Sequence, residues 1–154
     1  MVRHGATNEA SEVDLARRVS SEAHQGQTDK MGQPYVNHCA RVADRVQDAK
    51  EKTVAFLHDI VEKCDGWDFD RLRQLGFSNE VVEAVDALTH RQAETDDQFV
   101  VRAVENKLAC PVKIADLQDN LWQANSVGSD PAKYKRGLEL VAMMQADPGL
   151  TDLT

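Results

Sequence analysis

Apolar residues recur along the chain at spacings of three and four, the pattern of amphipathic helices, and alternating strand patterns are nearly absent. The first such stretch covers residues 10–24, where Val13, Ala16, Val19 and Ala23 fall on one helical face. We therefore predict a first helix over 10–24 that buries this face in a core.

Seven more helices are predicted after the first one. They are expected over about 34–49, 52–64, 68–76, 78–89, 96–106, 111–125 and 130–146. Asp68 and Ser78 are suited to cap the helices that follow them, and Asp130 is a cap before Pro131 at a first helical position. The predicted fold class is all-α, a compact bundle of about seven or eight helices.

The composition is typical of one globular domain, expected over residues 1–154 with its core at about 12–145. No apolar run approaches the roughly 20 residues that a membrane-spanning helix needs. The first residues contain no apolar segment like that of a signal peptide. We therefore expect a cytoplasmic protein without a membrane partner.

The net charge of −8 disfavours a nucleic-acid surface, because phosphate-backbone binding needs clustered Lys and Arg. A small anionic substrate is still compatible, since a bound cation and one or two lysines can invert the sign of the charge inside a pocket. The three cysteines, at positions 39, 64 and 110, are an odd number at unrelated spacings, so neither a disulfide framework nor a thiolate zinc site is predicted. The sequence leaves the oligomeric state open.

A histidine and an aspartate stand side by side in the most apolar predicted helix. These residues, His58 and Asp59, are flanked by apolar side chains on both sides. A buried, unpaired carboxylate is costly, so Asp59 is expected to be paired or to bind a cation. Imidazole and carboxylate are both good ligands for divalent transition metals.

Two further residues fit the same kind of site. Asp116 is a single aspartate in another apolar helical run, and His38 stands early in the second predicted helix. Packing of separate helices must bring such distant residues together, as in the metal sites of helical bundles. The same residues are also compatible with hydrogen-bonded core histidines, helix caps or salt bridges, and composition alone does not decide between these interpretations.

The order of these residues resembles the HD-domain phosphohydrolase superfamily, whose signature is His, His-Asp and Asp around a divalent metal. Several ordered segments are similar to the hydrolase domain of RelA/SpoT-type alarmone enzymes: 23–27, 30–38, 57–62, 112–117 and the pair Asp119-Asn120. The resemblance covers about residues 12–145. Synthetase and regulatory domains are not recognised, so we expect a stand-alone small alarmone hydrolase.

The resemblance implies a reaction and roles for named residues. The metal would be manganese, and its implied ligands are His38, His58, Asp59 and Asp116. The implied reaction is hydrolysis of the 3′-pyrophosphate of a guanosine nucleotide such as ppGpp. Glu62 would orient or deprotonate the attacking water, and Lys30 and Asn120 would contact the nucleotide.

Two residues depart from the pattern of that family. Its members usually follow the His-Asp motif with a Glu-Asp pair, whereas here Glu62 is followed by Lys63. They also carry a basic residue before Lys30, whereas this chain has Asp29, which we expect to repel a phosphate. Both departures favour an alternative substrate, such as NADPH or a nucleoside phosphate. A second alternative is a metal-bound sensor domain without turnover.

One motif near the N-terminus points to a different class of enzyme. Residues 3–7, Arg-His-Gly-Ala-Thr, resemble the phosphohistidine loop of histidine phosphatases. That chemistry needs a preceding buried strand and an α/β sheet, and no later segment is predicted to form a parallel strand. We interpret the motif as a chance similarity.

Overall fold

The structure is a computed structural model that describes residues 5–147, with side chains described from residue 9 onward. Within these residues the chain forms nine α-helices. They are α1 (Gly5–Ala23), α2 (Val36–Asp44), α3 (Ala49–Leu57), α4 (Ile60–Lys63), α5 (Phe69–Gln74), α6 (Asn79–Ala87), α7 (Asp96–Glu105), α8 (Ala109–Val127) and α9 (Ala132–Ala146). Within this range there is no strand, and one isolated antiparallel bridge joins Thr28 to Pro34. None of the described helices is long and apolar enough to cross a membrane. Arg3 and His4 of the phosphatase-like motif lie outside the described residues.

The helix predicted over 52–64 is divided into α3 and α4. His58 and Asp59 form a turn between the two helices, with Asp59 at φ −106° and ψ 0°. Counting α3 and α4 separately gives nine helices across the described residues, against the seven or eight predicted. The all-α class is confirmed, and the other predicted helices are present.

The boundary between α2 and α3 lies several residues from its predicted position. α2 ends at Asp44 rather than near Ala49, and α3 begins at Ala49 rather than at Lys52. Asp48 and Glu51 form a capping box at the start of α3. Because the capping box determines where the helix starts, α3 begins before the apolar residues from which its start was predicted.

The predicted helix caps are present at α5 and α6. The Asp68 carboxylate accepts a hydrogen bond from the Arg71 N–H at 2.7 Å, and Ser78 Oγ accepts one from the Val81 N–H at 3.3 Å. At α9, Pro131 occupies the N-cap position instead of the first helical position, so this helix begins one residue later than predicted.

α3 lies at the centre of the bundle, as its apolar sequence predicts. It packs against α1, α2, α6 and α8. Val54, Ala55 and Leu57 are fully buried, and Ala16 and Val19 from the predicted face of α1 belong to the same core. The apolar environment of the His58–Asp59 turn therefore comes from this core.

α7, α8 and α9 form a smaller second core around Val100, Leu117 and Val141. α9 approaches α8 closely at Gly137, where a β-carbon would lie 2.8 Å from Leu117 Cδ2. This close packing places α9 beside the part of α8 that carries Asp116.

Candidate metal centre

Two histidines and two aspartates meet between α2, α3 and α8. One ligand atom from each of His38, His58, Asp59 and Asp116 lies within 4.8 Å of all the others. His38 belongs to α2, the His58–Asp59 pair to the turn after α3, and Asp116 to α8. The fold thus brings together the four residues that the sequence singled out as metal ligands.

The turn between α3 and α4 directs both members of the His-Asp pair into this cluster. His58 Nε2 lies 3.0 Å from Asp59 Oδ2. In a continuous helix, adjacent side chains point about 100° apart. The interruption of the helix therefore allows the two side chains to converge. The Asp59 carbonyl still accepts a hydrogen bond from the Lys63 N–H at 2.9 Å.

A hydrogen bond on the far side of each imidazole determines which nitrogen faces the cluster. His58 Nδ1 lies 2.6 Å from the Ala55 carbonyl oxygen, and His38 Nδ1 lies 2.6 Å from Asp119 Oδ2. Because both oxygens only accept, each Nδ1 carries the hydrogen. The two Nε2 atoms therefore face the cluster, 3.1 and 3.2 Å from Asp116 Oδ1, and they are the atoms that carry the lone pair when the imidazoles are neutral.

This set of donor atoms fits a divalent metal. Two imidazole nitrogens and two carboxylates face one another, an arrangement that needs positive charge, supplied by a metal ion on neutral imidazoles or by protons on the two Nε2 atoms. Burial lowers the pKa of His58, but the carboxylates of Asp59 and Asp116 outweigh it and raise that pKa well above its usual value. Burial likewise raises the pKa of Asp116, yet His58 and His38 hold it well below its usual range. Nitrogen and oxygen donors of this kind suit divalent transition metals.

Tyr35 also belongs to the site, although it was not predicted to. Its hydroxyl donates a hydrogen bond to Asp59 Oδ2. Burial raises the pKa of Tyr35, and the Asp59 carboxylate raises it further, so the phenol stays protonated and keeps donating. The Tyr35 ring lies 4.8 Å from the His24 ring and 5.4 Å from the His38 ring, measured between centroids.

A second layer of polar side chains supports His38. Asp119 is fully buried, and its carboxylate accepts hydrogen bonds from Arg41 Nε at 2.7 Å and Gln123 Nε2 at 2.8 Å. Burial raises the pKa of Asp119, but His38 and Arg41 outweigh it and lower that pKa to about 2. Sequence reasoning gave no site role to these three residues. The sequence did contain one indication of such a role for two of them, because Asp116, Asp119 and Gln123 are spaced by three and four residues on one face of α8.

A cavity of about 430 Å³ lies beside the cluster, a size that suits a small ligand. The carboxylates of Asp59 and Asp116 line it. The three residues predicted to act on the substrate line the same cavity: Lys30, Glu62 and Asn120. Their catalytic and binding roles stay predictions.

Specific contacts hold these three side chains. Glu62 Oε1 accepts a hydrogen bond from the His90 backbone N–H at 2.9 Å. Lys30 Nζ donates to Asn120 Oδ1 at 2.7 Å and lies 5.0 Å from the centre of the Tyr134 ring. The contact between Lys30 and Asn120 joins the loop before α2 to α8.

The two departures from the family pattern occupy different environments. Lys63 lines the cavity, with Nζ 5.7 Å from the centre of the Tyr35 ring. Asp29 is 8% exposed, and its carboxylate lies 3.1 Å from Arg41 Nη2. Arg41 compensates part of the charge of Asp29 inside the protein, and Asp29 also lines the cavity, so its repulsion of a phosphate stays a prediction.

No family model matches the chain, but curated proteins resemble it in sequence. A guanosine-3′,5′-bis(diphosphate) 3′-pyrophosphohydrolase of Vibrio cholerae is 30% identical over 152 residues, which cover 88% of this chain and 21% of that protein. The bifunctional (p)ppGpp synthase/hydrolase SpoT of Escherichia coli is 30% identical over 125 residues, 73% of this chain and 18% of that protein. The chain therefore spans about a fifth of the length of these curated relatives.

A solved structure has the same fold. It is described as a metazoan ortholog of SpoT that hydrolyzes ppGpp and plays a role in starvation responses. It superposes with a TM-score of 0.68 at 20% identity, covering 92% of this chain and 84% of the other. The predicted resemblance to the RelA/SpoT-type HD hydrolase domain is confirmed by the curated relatives in sequence and by this structure in fold.

Proposed function

We propose that this chain, a RelA/SpoT-type HD hydrolase domain in sequence and fold, is a metal-dependent phosphohydrolase that removes the 3′-pyrophosphate of a (p)ppGpp-like nucleotide in the cytoplasm. The observation that carries the proposal is the four-residue cluster, with ligand atoms within 4.8 Å of one another, beside a cavity lined by lysines. We propose that the bound ion is Mn²⁺ and that the residues holding it are His38, His58, Asp59 and Asp116. The names of the relatives support the substrate class.

Glu62 is the side chain that we propose acts on the attacking water. A divalent ion bound at the cluster would lower the pKa of water and neutralise charge on phosphoryl oxygens. Glu62 is exposed on the cavity wall, and the His90 N–H holds its Oε1 atom in place. In this position its carboxylate would orient the attacking water and take up its proton.

Four lysines on the cavity wall would supply positive charge for a phosphate chain: Lys30, Lys63, Lys113 and Lys133. Lys113 is only 6% exposed, and its Nζ lies 3.5 Å from Asp116 Oδ2 and 4.0 Å from the centre of the Phe99 ring. Six carboxylates and one arginine line the same cavity, so its wall would become net positive for a polyanionic substrate once a divalent ion is bound at the cluster.

The test is product analysis with purified protein supplied with manganese and ppGpp. We expect release of pyrophosphate and formation of GDP, and loss of both with a chelator. Glu62→Gln should lower kcat by roughly 100-fold or more, the usual contribution of general acid–base catalysis, and should bind the metal as the wild type does. Metal-loaded wild-type protein that leaves ppGpp intact would contradict the proposal.

Lys63 favours a second candidate, an HD phosphatase acting on another phosphorylated nucleotide. It places a cation on the cavity wall at a position where the family pattern has a carboxylate. NADPH and nucleoside monophosphates should therefore be assayed in parallel for orthophosphate release. Release from one of these but not from ppGpp would select this candidate. Inactivity of metal-loaded wild type across the whole panel would select the sensor domain.

A further inference from the structure

The loop that carries Lys30 is built around a buried carboxylate. The Asp29 side chain is 1% exposed, and its Oδ1 accepts hydrogen bonds from the backbone N–H groups of Met31 at 2.9 Å and Gln33 at 3.0 Å. Gly32, at φ +78°, supplies the left-handed conformation that this tight turn needs. The Asp29 side chain thus fixes the conformation of the loop from inside.

One guanidinium connects this loop to the metal-ligand cluster. Arg41 Nη2 donates to Asp29 Oδ2 at 3.1 Å, and Arg41 Nε and Nη2 donate to the two oxygens of Asp119 at 2.7 and 3.2 Å. Asp119 in turn accepts the Nδ1 hydrogen of His38 at 2.6 Å. Paired hydrogen bonds between a guanidinium and a carboxylate hold both groups in a defined orientation. A continuous series of charged hydrogen bonds therefore runs from the loop to His38.

A second path, through Gln123, also joins the loop to Asp119. Gln123 Oε1 accepts the backbone N–H of Lys30 at 3.0 Å, and Gln123 Nε2 donates to Asp119 Oδ2 at 2.8 Å. Gln123 is 1% exposed, so its amide is shielded from water. Both paths meet at Asp119, which makes this residue the common support of the loop and of His38.

We infer that Asp29, Arg41 and Asp119 form a bridge that positions the Lys30 loop relative to His38 and so couples binding of the substrate phosphates to binding of the metal. The identity of the substrate rests on the proposed function, whereas the coupling rests on the contacts alone. Asp29 lines the cavity, but its side chain is 1% exposed and faces Arg41, so in the Asp29–Arg41–Asp119 bridge it acts as a positioning residue. The basic residue of the family pattern would break the bridge instead of improving substrate binding.

Two single substitutions separate the two ends of the bridge. Asp29→Asn keeps an acceptor for the Met31 and Gln33 amides but weakens the pairing with Arg41, so KM for ppGpp should rise, by roughly tenfold for a lost charged hydrogen bond, with kcat close to the wild-type value. Arg41→Met removes the guanidinium from both carboxylates. It should raise KM as well and weaken Mn²⁺ binding by roughly 10- to 100-fold, the usual effect of losing an outer-shell partner.

A double variant tests whether the two residues act through one bridge, and a control variant tests whether the effects are specific to it. If one bridge carries both effects, Asp29→Asn combined with Arg41→Met should have a KM no higher than Arg41→Met alone. The control is Glu12→Gln, which also changes a carboxylate that accepts a backbone N–H, from Ser78 at 2.9 Å, and that faces a cation, Lys50 at 4.0 Å. Glu12 does not line the cavity. It should lower the melting temperature without changing KM or the Mn²⁺ dissociation constant.

Three outcomes would overturn the inference. A lower KM in Asp29→Asn or Asp29→Arg would mean that position 29 faces the substrate. Additive effects in the double variant would mean that the two residues act separately. Wild-type Mn²⁺ affinity in Arg41→Met, measured by calorimetry on metal-stripped protein, would mean that the bridge does not affect metal binding. If the wild type leaves ppGpp intact, the proposed function fails, and the Mn²⁺ dissociation constants still decide the inference.

Discussion

At the scale of single residues, the cluster depends on each ligand having one well-defined donor atom. Asp116 Oδ1 lies within 3.2 Å of the Nε2 atoms of both histidines, so this oxygen connects α8 to the rest of the site. Its second oxygen lies 3.5 Å from Lys113 Nζ. Asp116 is therefore the residue whose removal should disturb the site most specifically.

Asp116→Ala should reduce the metal content of the purified protein to a small fraction of the wild-type value. Loss of an outer-shell partner alone costs roughly 10- to 100-fold in affinity, and loss of a ligand should cost at least as much. Metal content can be measured by elemental analysis, with Asp70→Ala as the control, because the Asp70 side chain is 83% exposed. Unchanged stoichiometry in Asp116→Ala would rule out this residue as a ligand.

Lys63→Met should raise KM for ppGpp more than it lowers kcat. A hydrogen bond to a charged group contributes about 1.5–3 kcal/mol, which corresponds to roughly tenfold or more in affinity. Lys63→Arg keeps the charge and should retain most of the affinity. Steady-state kinetics on the three proteins decide the role, and an unchanged KM in Lys63→Met would show that the lysine does not bind the phosphates.

At the scale of elements, the His-Asp pair shows what the local sequence can and cannot predict. An ionisable pair in an apolar segment is a local anomaly, so His58 and Asp59 could be found from sequence. That they lie in a turn could not, because the flanking apolar residues are compatible with one uninterrupted helix. Arg41 could not be found either, since its partners lie 12 and 78 residues away.

A partly buried ion pair joins α7 to the segment before it and gives the fold a pH-dependent stability. Glu94 accepts hydrogen bonds from Arg102 Nε at 2.6 Å and Nη2 at 2.9 Å, and Arg102 also donates to the carbonyl oxygens of Asp86 and Thr89. The hydrogen bond from Arg102 lowers the pKa of Glu94 from 4.5 to about 2. The stabilisation is therefore complete above pH 4.5 and is lost as the pH falls towards 2.

Glu94→Gln should accordingly lower the melting temperature by a constant amount above about pH 5. The difference from the wild type should shrink as the pH falls from 4.5 towards 2, because protonation of Glu94 then weakens the pair in the wild type as well. Melting curves recorded across this range provide the test. A difference that stays constant down to pH 2 would show that the ion pair does not stabilise the fold.

At the scale of the whole molecule, the metal would connect elements that are far apart in sequence. Its proposed ligands come from α2, the turn after α3, and α8, three parts of the bundle that the sequence separates by 20 and 57 residues. The helical class was predictable from periodicity, and the four candidate ligands were found as polar residues in apolar helices together with the resemblance to the HD-domain superfamily. The bridge and the cavity were not, since they depend on how separate helices pack.

Removing the metal should therefore destabilise the whole fold and not one helix alone. A ligand present at a hundred times its dissociation constant stabilises the native state by about 2.7 kcal/mol. For a domain of this size that corresponds to a fall of roughly 5–10 °C in melting temperature after chelation. Re-addition of Mn²⁺ should restore the original value, and identical melting curves with and without chelator would contradict the connecting role.

The most direct test of the central claim is a titration of Mn²⁺ into metal-stripped protein, with bound metal and pyrophosphate release from ppGpp measured in the same samples. We predict that the rate rises in proportion to bound metal and levels off at one ion per chain. Saturation with metal and no release of pyrophosphate would contradict the account, as would release that does not depend on bound metal.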